Sequence, residues 1–337
     1  MPLLNPFAAD SFNLWHMGAA INRLPNNYGR LREMNLFPEE GVRGHEIVID
    51  EKDGKLNLLS TLPLGSPGQK SSRGTRKARA FTIPHIPYDD LILPTEYANI
   101  RAFGTESSTE PFTRIMNNHL QSARNKHAIT LEYLRMGALK GLIYDSDGST
   151  VIYDLYKEFV ITQKTINFAL NNASTEVVLK CLEVKRHIEK YLQGEIMSSI
   201  RVLVDKDFYD ALVTHTKVTA AYARWRDGEL LRSDMRKGFP FADLIFEEYE
   251  GYAPDAAGVV RKFIASKHAI AFPLGTQTTF KTFFAPADFI ETANTLGRPL
   301  YAKSEPQEFN RGVKIHTQSN PLPLCTRPEI VVELTTP

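Results

Sequence analysis

The sequence predicts an α+β protein, in which helices and strands are interspersed without a steady alternation of one strand and one helix. One reason is a stretch without proline between Pro111 and Pro240, which leaves room for several helices. A second is the recurrence of apolar residues at steps of about three or four from Phe112 to Ala138, which makes one apolar face along about 30 residues. A third is a set of short segments in which apolar and polar residues alternate, as in strands with one buried face.

The first 43 residues are typical of an N-terminal arm. Single aromatic and leucine residues are interrupted there by prolines and glycines, so that neither a long helix nor a sheet fits. Apolar side chains such as Leu31, Leu36 and Phe37 need a surface that covers them. We therefore predict an extended segment that lies on another body.

An extended loop built on a hairpin is predicted for residues 44–90. Residues 45–50, HEIVID, predict a strand, Asp53 and Gly54 predict a turn, and residues 55–58 predict a returning strand. Residues 60–80 combine prolines and glycines with a basic run. This composition predicts a long basic loop without regular structure, which is uncommon inside compact domains.

The basic residues of this loop are the candidate functional residues: Lys70, Arg73, Arg76, Lys77 and Arg79. Three interpretations are open, namely a solvated loop, contact with phosphate, and docking on an acidic patch of a neighbouring copy. Proteins that bind single-stranded nucleic acid usually place aromatic residues among such charges, and none lies between Lys70 and Ala80. Contact between subunits is therefore favoured over contact with phosphate.

The remaining elements follow from periodicity and from capping residues. Pro111 is predicted as the first residue of a helix that reaches Ala138, and a length of about 45 Å would make this helix a strut. Further helices are predicted for residues 173–192, 205–214, 218–231 and 287–293, and further strands for residues 151–161, 200–204, 244–249, 268–272, 313–317 and 330–334. Prolines at positions 321, 323 and 328 are expected to separate the last two strands.

The amino-acid composition limits which classes of function can be expected. With 42% hydrophobic and 23% charged residues, the chain resembles an ordinary globular protein. Forty basic and thirty-nine acidic residues leave a net charge of +1, which gives no global reason to hold nucleic acid tightly. No apolar run approaches the roughly 20 residues that span a bilayer and no secretory signal is evident, so we place the chain in a cytoplasm without membrane contact. We expect Cys181 and Cys325 to be buried thiols without a disulfide.

No motif of catalysis, cofactor binding or metal binding is recognisable. Residues 65–71, GSPGQKS, space their glycines wrongly for a phosphate-binding loop. Residues 145–148, DSDG, open like a calcium loop, but Val151, Ile152 and Tyr153 stand where further oxygen ligands are required. We therefore predict no catalytic, cofactor-binding or metal-binding residue and no enzyme activity. An enzyme with an unrecognised site is the weakest alternative.

Several motifs of the C-terminal third occur together in one known family. They are FAPADFIETANT at residues 284–295, LYAK at 300–303, HTQSNPLPLC at 316–325 and RPE at 327–329. Earlier stretches support them, namely ALKG at 138–141, DSDG at 145–148 and FEEY at 246–249. In this combination the sequence resembles the lambda-type major capsid protein E family of tailed bacteriophages, over most of the chain from about residue 40.

The resemblance implies the Hong Kong 97-like phage capsid fold. In that fold we expect an N-terminal arm over residues 1–43, the extended loop over 44–90 and a peripheral domain with a long spine helix over 91–161. The axial domain would cover 162–275, and residues 276–337 would return to the sheet of the peripheral domain.

The resemblance also implies a function as a shell subunit. We expect hexamers and pentamers in an icosahedral head that encloses double-stranded DNA, with non-specific DNA contact and with scaffolding, portal and decoration proteins as partners. The location would be the virion capsid, assembled in the cytoplasm of a bacterial host. The nearest alternative is a cellular compartment shell of the encapsulin type. In either shell, the arm and the extended loop are expected to find their apolar and charged complements on sister copies.

Overall fold

The computed structural model describes residues 29–52, 76–98, 109–224, 236, 238–255 and 257–337, and these form the predicted α+β arrangement. One helix is much longer than the others. The helices are α1 Arg30–Glu33, α2 Pro94–Ala98, α3 Thr109–Lys140, α4 Leu155–Phe159, α5 Val177–Tyr191, α6 Lys206–Thr214 and α7 Thr216–Arg224. Single 3-10 turns cover Ile290–Thr292, Glu308–Asn310 and Pro328–Ile330.

The strands are short and belong to several sheets. They are β1 Glu39–Gly41, β2 Glu46–Lys52, β3 Arg76–Thr82, β4 Ile86–Ile92, β5 Leu142–Tyr144, β6 Val151–Asp154, β7 Lys164–Asn167, β8 Ser199–Val204, β9 Phe239–Phe241, β10 Leu244–Glu248, β11 Tyr252–Pro254, β12 Val260–Lys262, β13 His268–Leu274, β14 Phe280–Phe284, β15 Tyr301–Pro306, β16 Val313–Ser319, β17 Pro321–Cys325 and β18 Val332–Thr335.

A mixed sheet of six strands forms the largest layer. Its order is β7-β18-β13-β8-β10-β9, with β10 parallel to β8 and β13 antiparallel to it. Buried residues such as Val202, Leu203 and Val204 follow one another along β8, and a strand that is apolar on both faces is expected in the centre of a sheet. Helix α5 buries Val177, Cys181, Val184 and Ile188, which is the face predicted from the sequence.

Two sheets of three strands complete the framework. Their orders are β1-β14-β17 and β15-β16-β4. The prolines at 321 and 323 do not merely separate strands, as predicted, because Pro321–Cys325 is itself strand β17 and pairs with β14. This is tolerated because β17 lies at the edge of its sheet, where no further strand among the described residues needs the missing N–H groups.

The long helix α3 confirms the predicted strut. Its 32 residues correspond to about 48 Å, and it joins two apolar cores. Ile115, Met116 and Leu120 lie in a small core with residues of β4 and β16, whereas Leu134 and Leu139 lie in the main core. Gly141 follows with a φ of 80°, a left-handed conformation that glycine adopts readily and that ends the helix.

The described part of the arm packs on its own chain. Leu31, Leu36 and Phe37 are buried in the main core together with residues of β8, β13 and β17. Strand β1 pairs in parallel with β14, with Glu39 opposite Thr282. The expectation that this segment covers a sister copy is therefore wrong for residues 29–43, because its apolar side chains are covered within the same molecule; residues 1–28 lie outside the described residues.

The hairpin pairs differently from the prediction. Strand β2 pairs with β3, which places Glu46 opposite Thr82 and Lys52 opposite Arg76. The loop predicted up to residue 80 is therefore already a strand from Arg76, because backbone pairing with β2 and burial of Phe81 outweigh the low strand propensity of its basic residues. The predicted return at residues 55–58 lies outside the described residues.

The strand predicted for residues 151–161 ends at Asp154 as β6, and helix α4 follows it. Asp154 caps this helix by accepting a hydrogen bond from the Lys157 N–H at 3.1 Å, and Val160 ends it in a left-handed conformation with a φ of 56°. Helix α5 begins at Val177 and not at 173, because Asn172 accepts hydrogen bonds from the N–H and hydroxyl of Ser174 in a turn. Helix α7 ends its described part at Arg224, and residues 225–235 lie outside it.

Candidate subunit-contact surfaces

The base of the β2-β3 hairpin is fixed to the body by Arg79. Its Nε donates a hydrogen bond of 2.7 Å to the carbonyl oxygen of Glu158, at the end of α4. The same guanidinium lies 4.7 Å from the centroid of the Phe159 ring, a distance typical of a cation–π contact. Arg79 therefore has partners within its own chain.

Aromatic packing fixes the C-terminal end of strand β3. The Phe81 ring lies 5.4 Å from Tyr153 in an edge contact and 6.2 Å from Phe159 in a stacked one. The backbone N–H of Thr82 donates to the Tyr153 hydroxyl at 2.7 Å, and that hydroxyl donates to the Thr82 carbonyl at 2.8 Å. The direction in which the hairpin leaves the body is therefore set by buried contacts, whereas Val48 on β2 is 62% exposed.

The structure describes only three of the five predicted contact residues. Lys70 and Arg73 lie outside the described residues. Arg76 and Lys77 lie on β3, opposite Lys52 and Glu51 in the register. Only Arg79 has a described side chain, and it is bound to α4 as above. The role of the five residues in subunit contact stays a prediction.

A charged network pins the arm segment to the body. Arg30 donates to both carboxylate oxygens of Glu247, at 2.5 and 3.1 Å, and Arg201 donates to the same carboxylate at 2.6 Å. Glu247 is buried, and its hydrogen bond raises the pKa of Arg30 above its ordinary value. Two guanidinium groups thus compensate one buried carboxylate, which would be costly if unpaired.

Helix α3 contributes two further buried ionisable side chains to this attachment. Arg135 on α3 donates to Glu39 of β1 at 3.0 Å and to the Thr282 hydroxyl of β14 at 3.2 Å. Glu132 accepts a hydrogen bond of 2.9 Å from the backbone N–H of Leu31. Burial raises the pKa of the Glu132 carboxyl and lowers the pKa of Arg135. The helix therefore holds residues 30–39 by polar contacts as well as by apolar packing.

Two histidines of α3 face different surroundings. His119 lies between two carboxylates, with Nδ1 2.8 Å from Asp90 of β4 and Nε2 2.9 Å from Glu96 of α2. Burial opposes the charge on His119, but the hydrogen bonds with Asp90 and Glu96 outweigh it and raise its pKa. Burial lowers the pKa of His127 to about 4, so this ring is neutral near pH 7 and contacts Thr317 at 3.1 Å.

The described residues offer little for catalysis. Cys181 and Cys325 are free and buried, and burial raises the pKa of each thiol to about 12, which leaves them protonated near pH 7. Within the described ranges, no cluster of three or more His, Cys, Asp and Glu residues is arranged to hold a metal ion. None of the helices in the described part of the chain is both long and apolar enough to cross a membrane.

Sequence reasoning missed the exposed apolar residues of the C-terminal region. Phe309 lies at the end of the β15-β16 hairpin, and Ile290 and Leu296 lie in the segment between β14 and β15. A signal for Phe309 is present in the sequence, since an aromatic residue stands inside the turn-forming stretch QEFNRG at residues 307–312. Exposure itself could not be deduced from that stretch.

Solved structures with a similar fold define the class of the protein. The putative capsid protein of a prophage of E. coli CFT073 matches with a TM-score of 0.61 and 16% identity, over 96% of this chain and 99% of that chain. The mature capsid of bacteriophage PhiM1 matches with a TM-score of 0.50 and 12% identity, over 89% and 84% of the two chains. The fold is thus the Hong Kong 97-like fold of phage capsid subunits, as the resemblance implied.

Sequence comparison then gives the family. The family model described as phage major capsid protein E matches residues 14–336, and the chain belongs to that family. The major capsid protein of Pseudomonas phage KPP10 is 26% identical over 97% of this chain and 98% of the relative. That of Salmonella phage Felix O1 is 27% identical over 96% of both. The chain accordingly builds the virion capsid, and the family match favours a phage shell over a cellular compartment shell.

Proposed function

We propose that copies of this chain assemble through hexamers and pentamers into an icosahedral phage head that encloses double-stranded DNA, and that the chain catalyses no reaction. The observation that carries the proposal is the family match over residues 14–336. A shell of identical subunits requires head-to-tail contacts between different patches of the same chain, which close into rings and then into a surface. Once one edge of a subunit is held, its other edges bind at a high effective concentration, so many weak contacts make a durable shell.

The extended loop is proposed to supply some of these contacts. Its base is anchored to the body by Arg79 and Phe81, so strands β2 and β3 can present the loop in one direction. We propose that Lys70, Arg73, Arg76, Lys77 and Arg79 serve this contact, the first four by facing acidic groups of a neighbouring copy and Arg79 by holding the base of the hairpin.

The near-neutral charge suits a container that is filled with DNA. A net charge of +1 avoids the phosphate neutralisation by which condensing proteins grip a duplex, so the DNA contact is proposed to be weak and non-specific. Scaffolding, portal and decoration proteins are proposed as further partners, because a closed head needs a size, an entrance and a stable outer surface.

Negative-stain microscopy of the purified chain tests the proposal. Closed particles of uniform size are expected, and DNA-filled particles with tails are expected when the phage assembles in its host. A chain that stays monomeric at all concentrations would contradict the shell function. Closed particles that enclose an enzyme and no DNA would support the cellular compartment shell instead.

A variant of the loop tests the contact separately. Deletion of residues 65–79 is expected to leave a folded monomer that forms no stable shells. Because that deletion also removes Arg79, the sharper variant replaces Lys70, Arg73, Arg76 and Lys77 with glutamine and keeps the anchor. This variant is expected to form fewer shells, because it lacks the four charges. Shells of the unaltered chain are expected to weaken at high salt, because salt screens exposed charges. Shells of the glutamine variant equal to those of the unaltered chain would contradict the role of the loop.

A further inference from the structure

The tip of the β15-β16 hairpin holds an aromatic side chain out into solvent. Phe309 is 86% exposed, and its φ of 59° lies in the left-handed region, where a residue with a Cβ is strained. Asn310 follows with a φ of 54°. Asparagine tolerates this conformation better than phenylalanine does, and the contact described for the Phe309 ring within the chain is with the Arg311 guanidinium, 5.5 Å from its centroid. An exposed, strained aromatic residue therefore needs another reason to stand at this position.

The frame under Phe309 is rigid. The Gln307 N–H donates to the Gly312 carbonyl at 2.9 Å, and the Asn310 N–H donates to the Gln307 carbonyl at 3.0 Å. Below the tip, Val313 and Ile315 are buried in the small core beside α3. A Cβ at Gly312 would stand 2.8 Å from the carbonyl oxygen of Ile92, so the base of the tip rests directly on β4. The ring is thus presented in one place before any contact forms, which lowers the entropic cost of binding.

Two other exposed apolar side chains lie elsewhere on the same chain. Ile290 is 94% exposed and Leu296 is 58% exposed, both in the segment that joins β14 to β15. This segment is also fixed. Lys303 of β15 pairs with Glu291 at 2.8 Å, and the Gly297 N–H donates to the Val42 carbonyl at 2.9 Å.

Neither place covers the other within the chain, since both are exposed. We propose that Phe309 of one copy packs against Ile290 and Leu296 of a second copy. This inference rests on the shell function and names one of its contacts. A projecting residue that fits a patch elsewhere on the same molecule makes a head-to-tail contact, and such contacts build rings and shells. Charge supports the same occupant, because the Arg311 guanidinium lies 5.5 Å from the Phe309 ring and exposed Asp288 lies two residues from Ile290.

Disulfide trapping in assembled particles tests the contact. The chain with Phe309→Cys and Leu296→Cys is expected to give covalent dimers and longer chains of subunits on a non-reducing gel after mild oxidation. Cys181 and Cys325 are buried and should not compete. The matched control combines Phe309→Cys with Leu179→Cys, since Leu179 is exposed on α5, and should stay monomeric on the gel. If Leu296→Cys lowers the melting temperature, Ile290→Cys replaces it.

The outcomes separate this contact from the shell function. Particles without crosslinks in both the Leu296 and the Ile290 pairs would overturn the contact and leave the shell function intact. Equal crosslinking in the control pair, or efficient crosslinking of Phe309→Cys alone, would overturn the proposed patch. A wild-type chain that forms no particles would overturn the shell function and this contact together.

A second variant uses the strain at Phe309. Phe309→Asn should leave the melting temperature of the unassembled chain unchanged or raise it, because asparagine tolerates a positive φ. The same variant should raise the concentration needed for assembly on the order of tenfold, since it removes a buried aromatic anchor from each contact. An unchanged assembly concentration would overturn the proposal.

Discussion

Two hairpins of the molecule differ in where they place an aromatic side chain. The hairpin formed by β2 and β3 buries its aromatic side chain, whereas the hairpin formed by β15 and β16 exposes one to solvent. On the first, Phe81 is fully buried between Tyr153 and Phe159, so the aromatic side chain anchors the hairpin to its own chain. On the second, Phe309 is exposed at the tip, and the anchoring is done by aliphatic residues of the small core.

This difference in burial shows that a phenylalanine side chain can serve two different roles. An inward aromatic side chain sets the direction of a projecting element, whereas an outward one on a rigid frame is available to another molecule. The first should matter for the stability of the isolated chain. The second should matter only when copies assemble.

Phe81→Ala should have the largest effect and sharpens the comparison most. Removal of a fully buried phenylalanine side chain is expected to destabilise the unassembled chain by about 3–5 kcal/mol, because a cavity remains beside Tyr153 and Phe159. Urea unfolding measures the change, with Phe309→Ala as the matched control at about 0–0.5 kcal/mol. Equal destabilisation by the two variants would break the distinction between anchor and contact.

Leu31→Ala tests where the arm segment is covered. Leu31 is fully buried in the core of its own chain, so a loss of about 2–5 kcal/mol is expected in the unassembled protein. The measurement is urea unfolding at a concentration below that of assembly. A variant as stable as the wild type there, but defective in assembly, would show that residues 29–43 are covered by a sister copy.

Arg79→Ala should have a smaller effect of about 1–2 kcal/mol. It removes one hydrogen bond to the Glu158 carbonyl and one contact with the Phe159 ring, both at a partly exposed site. Hydrogen exchange of residues 76–82 should become faster while the rest of the core keeps its protection. Unchanged exchange in β3 would indicate that Phe81 alone anchors the hairpin.

His119 should give a pH dependence of less than about 1 kcal/mol, as a half-exposed ion pair does. Its pKa in the folded chain is raised above the ordinary value of 6.5 by Asp90 and Glu96, although burial opposes this. The stabilisation is therefore fully present below pH 6.5 and is lost as the pH rises through the folded pKa. The difference in urea-unfolding stability between wild type and His119→Gln should shrink over that range. A difference independent of pH would contradict the clamp between α3, β4 and α2.

Local signals in the sequence were enough for many elements. The Asp205 cap is confirmed by its hydrogen bond of 3.1 Å from the Asp207 N–H, and the buried face of α5 follows from residues spaced by three and four. The strut α3 and strands β8, β10 and β16 also follow from periodicity. These features depend on residues that lie close together in the sequence, so the sequence alone predicts them.

Other features depend on distant residues and could not be read in this way. Strand β3 forms because β2 offers its edge, and β17 accepts prolines because it is an edge strand in the described part of the chain. The arm residues Leu31 and Phe37 were predicted to be buried, but the sequence did not indicate that they are buried in the core of their own chain. Similarly, the turn that carries Phe309 was visible, whereas its exposure required the position of the whole hairpin.

Hydrogen exchange compared between the unassembled chain and closed particles tests the central claim most directly. Residues 29–43, Phe81 and Thr82 should be protected to the same degree in both states, because their contacts lie within one copy. Residues 288–297 and 307–312 should gain protection in particles beyond that given by their hydrogen bonds in the unassembled chain. Protection gained on assembly by residues 29–43, with no change at Phe309 and Ile290, would contradict the account.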